Sequence, residues 1–119
     1  MAKVLVVDDS PTQVHFFKGM LEGLGHDVII ADNGRDGVAL ASAEQPDLVL
    51  MDIVMPDMNG FQATRQICRG QDTQHIPVVI ISSKSQEADK VWGERQGAKG
   101  YITKPVDQQE LVTLMSSLI

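Results

Sequence analysis

The chain has little of several features that mark particular classes of protein. Its 119 residues contain one cysteine, Cys68, which excludes an internal disulfide and a zinc site built from cysteines. Lysine and arginine number 10 against 16 acidic residues, and the net charge of −6 disfavours binding to nucleic acid or anionic lipid. The longest aliphatic runs have only four or five residues, far short of the about 20 that a membrane-spanning helix needs.

The remaining composition is that of an ordinary globular domain. Hydrophobic residues make up 43% and charged residues 22%, and the length corresponds to one domain over residues 1–119. The first aliphatic run, Val4–Val7, follows the initial methionine almost at once and leaves no room for a signal peptide. We therefore expect a single cytoplasmic domain that does not insert into a membrane.

A short aliphatic run followed by a longer segment with helical spacing recurs along the chain. The runs are continuous rather than alternating, which is typical of strands buried on both faces of a parallel sheet. The intervening segments have about ten residues or more, enough for crossover helices. The pattern predicts an α/β fold, a doubly wound parallel sheet with helices on both faces. The predicted strands are Val4–Val7, Val28–Ala31, Leu48–Met51, Val78–Ile81 and Tyr101–Ile102.

Helix boundary signals agree with this pattern. The segments Ser10–Gln13 and Asp107–Glu110 each have the spacing of a capping box, in which two side chains cap a helix start reciprocally. Gly25 is suited to end the first helix in a left-handed conformation, and Gly97 is suited to end the fourth helix. Within the fourth helix, the spacing of Trp92 favours a core position over exposure as an anchor for a partner.

Polar residues follow the predicted strands at their carboxyl ends. In doubly wound sheets, ligands bind beyond that edge, where the winding direction reverses. We therefore expect these side chains to converge on one site. The residues concerned are Asp8, Asp9, Asp52, Ser82, Ser83, Thr103, Lys104 and Pro105.

Each of these residues alone is most simply explained as a turn former, a helix cap or a solvated charge. Together they indicate a metal site, because three neighbouring carboxylates repel one another unless a cation neutralises them. Oxygen ligands at a solvent-facing edge suit Mg²⁺. With Lys104 and Ser82 to bind phosphate oxygens, Asp9 helped by Asp8 would hold the metal. Asp52 would be the nucleophile that forms an aspartyl phosphate.

Four segments together resemble the response-regulator receiver family. They are VLVVDD (Val4–Asp9), VLMDIVMPDMNG (Val49–Gly60), VVIISS (Val78–Ser83) and YITKP (Tyr101–Pro105). The resemblance implies a flavodoxin-like sheet of order 2-1-3-4-5, Mg²⁺ as cofactor and phosphoryl transfer from a histidine kinase. It also implies that a surface built from the fourth helix, fifth strand and fifth helix switches on phosphorylation.

The same resemblance implies a role for each site residue and a cis bond before Pro105. Asp52 is the phosphoacceptor, Lys104 binds phosphate, Ser82 is the switch hydroxyl and Tyr101 the aromatic switch. The Mg²⁺ ligands are Asp8, Asp9, Asp52 and the backbone carbonyl of Val54. The switching surface would present Lys90, Trp92, Arg95 and Tyr101 in some combination.

Further segments narrow the resemblance. MDIVMP (Met51–Pro56), GFQATRQI (Gly60–Ile67) and KVWGERQGAKGYITKPVD (Lys90–Asp107) are similar to the single-domain regulators of type IV pilus twitching motility. This implies a chemosensory-type histidine kinase as phosphodonor and a docking protein of the motility machinery as target. Since the chain ends with the fifth predicted helix, we expect a monomer with no output domain.

Other functions compete with this interpretation. A Mg²⁺-dependent phosphatase or phosphotransferase usually needs a cap domain to enclose its substrate, so we expect no enzyme beyond self-phosphorylation and dephosphorylation. A flavodoxin-like FMN carrier is disfavoured because the segment Asp8–Pro11 is acidic where a phosphate would bind. A degenerate receiver that is not phosphorylated stays possible. So does a phosphate sink, which would drain a shared kinase through the same site.

Overall fold

The computed structural model describes residues 1–119, in which five strands and five helices alternate along the chain. No helix is both long enough and apolar enough to cross a membrane. The strands lie where the aliphatic runs predict them, and the last is longer at both ends than predicted. In chain order the elements are β1 (Lys3–Val7), α1 (Pro11–Gly23), β2 (Asp27–Ala31), α2 (Gly34–Glu44), β3 (Leu48–Met51), α3 (Gly60–Arg69), β4 (Val78–Ser82), α4 (Glu87–Arg95), β5 (Gly100–Thr103) and α5 (Gln108–Leu118).

The five strands form one parallel sheet in the order β2-β1-β3-β4-β5. This confirms both the doubly wound fold and the strand order that the resemblance implied. Strand β1 pairs with β2 on one side and with β3 on the other. The winding direction reverses between β1 and β3, so the segments that leave these strands diverge and open a crevice at the carboxyl edge.

Helices cover both faces of the sheet, so its central strands have no solvent-facing side. On one face Val6 packs in a core cluster with Phe17 of α1 and Leu111 of α5. On the other face Val7 packs in a second cluster with Ile67 of α3. Successive residues of a strand point to opposite faces, so each cluster takes alternate residues of the same run. This is why the runs are continuously hydrophobic.

The predicted N-caps of α1 and α5 are confirmed, but the two predicted capping boxes are wrong. Ser10 accepts a hydrogen bond from the Gln13 N–H (3.4 Å), and Asp107 accepts one from the Gln109 N–H (3.0 Å). The side chains three residues later, those of Gln13 and Glu110, do not accept a hydrogen bond from the backbone N–H of the capping residue. At α1 the physical reason is competition, because the Ser10 N–H donates to Asp8 Oδ1 (2.9 Å).

A reciprocal capping box forms instead at the start of α3. The Gln62 N–H donates to Asn59 Oδ1, and the Asn59 N–H donates to Gln62 Oε1, both at 3.0 Å. At the other helix ends Gly25 and Gly97 have φ angles of +89° and +108°. These angles confirm the left-handed stop predicted at Gly25, and the helix end predicted at Gly97 has the same left-handed conformation.

The core position predicted for Trp92 is wrong, since its side chain is 48% exposed. Trp92 and Ala88 do share a face of α4, as their spacing predicts, but both are exposed. The face of α4 that packs on the protein runs through Gly93 and Gln96, which are buried. Adjacent residues in a helix lie about 100° apart, so a buried Gly93 turns Trp92 toward solvent.

Candidate functional site

The candidate site is held by backbone hydrogen bonds at the carboxyl edge of the sheet. The Asp52 N–H donates to the Val7 carbonyl (2.9 Å), and the Lys104 N–H donates to the Ser82 carbonyl (2.8 Å). These bonds extend the pairing of the parallel strands beyond their last residues. The backbone of Asp52 and that of Lys104 are therefore held by the same kind of hydrogen bond as the strands they follow.

Three carboxylates converge in the crevice between β1 and β3. Asp8, Asp9 and Asp52 each offer an oxygen, and these oxygens lie within 4.8 Å of one another. Asp8 and Asp52 are buried, whereas Asp9 is exposed. Oxygen ligands with one solvent-facing side fit a cation such as Mg²⁺, which keeps several of its waters. The residues present therefore fit the metal that the sequence implied.

Lys104 closes the other side of the cluster. Its Nζ lies 3.2 Å from Asp52 Oδ1 and 3.4 Å from Asp8 Oδ2. The side chain of Lys104 is only 19% exposed, so these interactions are screened less by water than those of a surface ion pair. One cation thus bridges two buried carboxylates and is placed to contact any anion bound beside Asp52.

The electrostatic surroundings of Asp52 oppose its ionisation. Burial raises the pKa of Asp52 above its ordinary value of 3.8, and the negative charge of Asp8 raises it further. Lys104 lowers the pKa through its charge and its hydrogen bond, but only in part. An attacking carboxylate must be ionised. A divalent cation bound to the cluster would favour that form.

Ser82 and Tyr101 are joined through the backbone of Lys84. The Ser82 side chain is fully buried and its Oγ accepts a hydrogen bond from the Lys84 N–H (3.1 Å). The half-buried Tyr101 donates its hydroxyl proton to the Lys84 carbonyl (2.6 Å). Burial also raises the pKa of Tyr101. The two residues predicted to act as switches are therefore two hydrogen bonds apart.

The loop between β3 and α3 contains a positioning residue that the sequence reasoning missed. Gly60 is buried, its N–H donates to the Ile53 carbonyl (2.9 Å), and a Cβ at this position would overlap the carbonyl oxygen of Asp52. The available signal was a glycine directly after the Asn59 cap of a helix. Val54 lies in the same loop with its side chain 60% exposed.

Not every predicted site residue enters the cluster. Asp8, Asp9, Asp52 and Lys104 come together, and the Lys104–Pro105 bond is cis. The Ser82 hydroxyl is bonded to the Lys84 N–H instead. The remaining residues of the predicted switching surface, Lys90, Trp92 and Arg95, are exposed on α4.

Comparison with known proteins identifies the class to which this fold and site belong. Residues 4–116 match the family described as the response regulator receiver domain, and the chain belongs to that family. Protein PilH of Pseudomonas aeruginosa is 56% identical over 119 residues, which cover 100% of this chain and 98% of that protein.

Solved structures share the fold at lower identity. The chemotaxis protein CheY4 of Vibrio cholerae has a TM-score of 0.92 and 28% identity, covering 100% of this chain and 99% of that one. The receiver domain of the sensor histidine kinase PA1611 of P. aeruginosa has a TM-score of 0.90 and 26% identity, covering 98% and 96%. That receiver domain has a magnesium ion coordinated in its active site cleft.

Proposed function

We propose that this receiver domain accepts a phosphoryl group on Asp52 from a histidine kinase. The observation that carries the proposal is the surroundings of Asp52. This buried carboxylate directly follows a central strand at the switch point, accepts a hydrogen bond from Lys104 and lies beside Asp8 and Asp9. A structural carboxylate at a strand end needs none of these neighbours.

The chain's own residues account for the transfer. A carboxylate oxygen of Asp52 attacks the phosphorus atom of the phosphohistidine, an O–P bond forms, and the N–P bond breaks with its electron pair going to the imidazole. Lys104 stabilises the charge on the equatorial oxygens of the phosphoryl group. Mg²⁺ held by Asp8, Asp9, Asp52 and the Val54 carbonyl would neutralise further charge on those oxygens.

The phosphoryl group then alters the bonds of Ser82. In this proposal the Ser82 hydroxyl leaves the Lys84 N–H and donates to a phosphoryl oxygen. The hydrogen bond between the Lys84 carbonyl and Tyr101 supports such a route, because any movement of the Lys84 backbone reaches Tyr101 directly. The α4–β5–α5 surface is thereby biased between two states.

We further propose a cytoplasmic regulator that works by docking and turns over no small-molecule substrate. The 56% identity to PilH over the whole chain supports a similar role. The phosphodonor would be a chemosensory-type histidine kinase, and the target a component of the type IV pilus twitching-motility machinery.

Intact mass tests the phosphoacceptor directly. Wild type and Asp52→Asn are incubated with Mg²⁺ and a small phosphodonor such as acetyl phosphate. We expect one labile phosphoryl adduct on wild type and none on the variant. The decay rate of the adduct then separates a long-lived messenger from a phosphate sink. An adduct on both proteins would refute the assignment of Asp52, and no adduct from either the small donor or a phosphorylated kinase would refute phosphorylation.

A further inference from the structure

Three of the four arginines in this chain line one groove between α2 and α3. Arg35 lies in the first turn of α2, and Arg65 and Arg69 lie on α3. The groove has a volume of about 750 Å³ and contains a single carboxylate, Asp57. None of the three arginines forms an ion pair, since the salt bridges of the structure involve only lysines. In a chain of net charge −6 this is a local concentration of unpaired positive charge.

The donors on α3 form a continuous stripe. Gln62, Arg65, Gln66 and Arg69 all line the groove, and their spacing of i, i+3, i+4 and i+7 puts them on one helix face. At a rise of 1.5 Å per residue, the stripe is about 10 Å long. All four side chains are exposed, so their amide and guanidinium groups are accessible.

The side chains that line the groove are suited to bind an anionic protein segment. Guanidinium groups match carboxylates and phosphates, which they bind with two parallel hydrogen bonds. No aromatic side chain lines the groove, so a nucleotide base would have no ring to stack on. Donors spread over about 10 Å suit several carboxylates along a chain better than one compact phosphate. We infer that the groove docks an acidic segment of a partner protein, with Asp or Glu repeated about every helical turn.

This surface is separate from the α4–β5–α5 surface, because no residue of those three elements lines it. It does contain Met58, from the loop that leads away from Asp52. The backbone of Met58 packs closely on Gly34, where a Cβ would lie 2.8 Å from the Met58 carbonyl oxygen. Because the groove and the switching surface share no residue, the acidic partner and a target on the switching surface can bind at the same time.

A model peptide tests this inference. The probe is a capped, alanine-rich helical peptide with glutamate at i, i+4 and i+7, and its counterpart has glutamine at those positions. Binding to the ¹⁵N-labelled protein is followed by amide chemical shifts at low salt. We expect saturable shifts on α3 and the start of α2 with the glutamate peptide only. Arg65→Gln/Arg69→Gln should weaken binding about ten-fold, or about 1.4 kcal/mol.

Charge-matched variants separate docking from general electrostatic attraction. Lys18→Gln/Lys99→Gln removes two exposed cations outside the groove and should change the affinity by less than about two-fold. Equal weakening by both double variants, shifts centred elsewhere or no binding of the glutamate peptide would overturn the inference. Tighter binding of inorganic pyrophosphate than of the peptide, at the same residues, would also overturn it in favour of a small-anion site.

Discussion

At the scale of single residues, Asp52 is subject to opposing demands. The proposed phosphoryl transfer requires an ionised Asp52, whereas burial and the neighbouring Asp8 favour its neutral form. Lys104 offsets this only in part. Carboxylates whose ionised form is disfavoured by their surroundings are typical of functional sites. The destabilisation has a measurable consequence for the metal-free protein.

Asp52→Asn should raise the thermal stability of the metal-free protein at neutral pH. Because the folded pKa lies above the ordinary value of 3.8, ionised Asp52 destabilises the folded state at every pH above its folded pKa. The cost disappears as pH falls below 3.8, where the residue is protonated in both states. We expect a rise in Tm of about a few degrees, shrinking toward acid pH, in melts followed by circular dichroism with EDTA present.

Asp72→Asn is the matched control. Asp72 is an exposed carboxylate whose pKa is lowered, chiefly by its hydrogen bond from Ser42. Its replacement should therefore not raise Tm. A stabilisation of equal size in both variants would trace the effect to the reduced net negative charge and not to the surroundings of Asp52.

At the scale of the elements, the contact of α3 with the end of β3 sets the position of Asp52, the proposed acceptor. Gly60→Ala should destabilise the fold by about 1–3 kcal/mol, because the new Cβ overlaps the carbonyl oxygen of Asp52. It should also slow phosphorylation of the folded protein, since Asp52 must shift. Urea denaturation and the rate of adduct formation measure the two effects.

Gly19→Ala provides the comparison for that variant. Gly19 lies within α1, and a Cβ there meets nothing within 4 Å. The substitution should raise stability by about 0.5–1 kcal/mol, as expected for Gly→Ala in an open helix position, and leave the rate of phosphorylation unchanged. Similar losses in both variants would contradict the role given to Gly60.

Helix α3 also contains a buried polar atom without a partner. The hydroxyl of Thr64 is buried and forms no hydrogen bond. Thr64→Val removes that hydroxyl at nearly constant shape, so we expect the free energy of unfolding to rise by about 1 kcal/mol. Thr73→Val should lower it by about 1 kcal/mol, because the buried Thr73 hydroxyl donates to the Ile67 carbonyl at 2.6 Å. Urea denaturation measures the free energy of unfolding of both variants. Changes of the same sign in the two variants would contradict this prediction.

The strands and the acidic cluster could be predicted from sequence because they follow from local patterns. Continuous aliphatic runs predict buried parallel strands, and residues after such strands must meet at one edge. The exposure of Trp92 could not be predicted, because it depends on which face of α4 turns inward. That face is set by tight packing of Gly93 against Ile80, Phe61 and Tyr101. The overlap that makes Gly60 necessary likewise arises only when α3 reaches its final position.

At the scale of the whole molecule, Trp92 reports on the proposed switch. It is the only tryptophan and lies half-exposed on α4. The phosphoryl group would be attached at the end of β3 on a different element. If phosphorylation changes the α4–β5–α5 surface, addition of phosphodonor and Mg²⁺ should change the fluorescence of Trp92. Asp52→Asn should show no such change, and a response that persists in this variant would point to metal binding alone.

The connection between Ser82 and Tyr101 has a consequence for sequence variation. Both of its hydrogen bonds use main-chain atoms of Lys84, and every amino acid except proline offers the same N–H and carbonyl. The proposed route between Ser82 and Tyr101 therefore does not depend on the identity of the side chain at position 84. If the proposed route holds, any residue except proline at position 84 would keep both hydrogen bonds, so the side chain there can adjust other properties of the site.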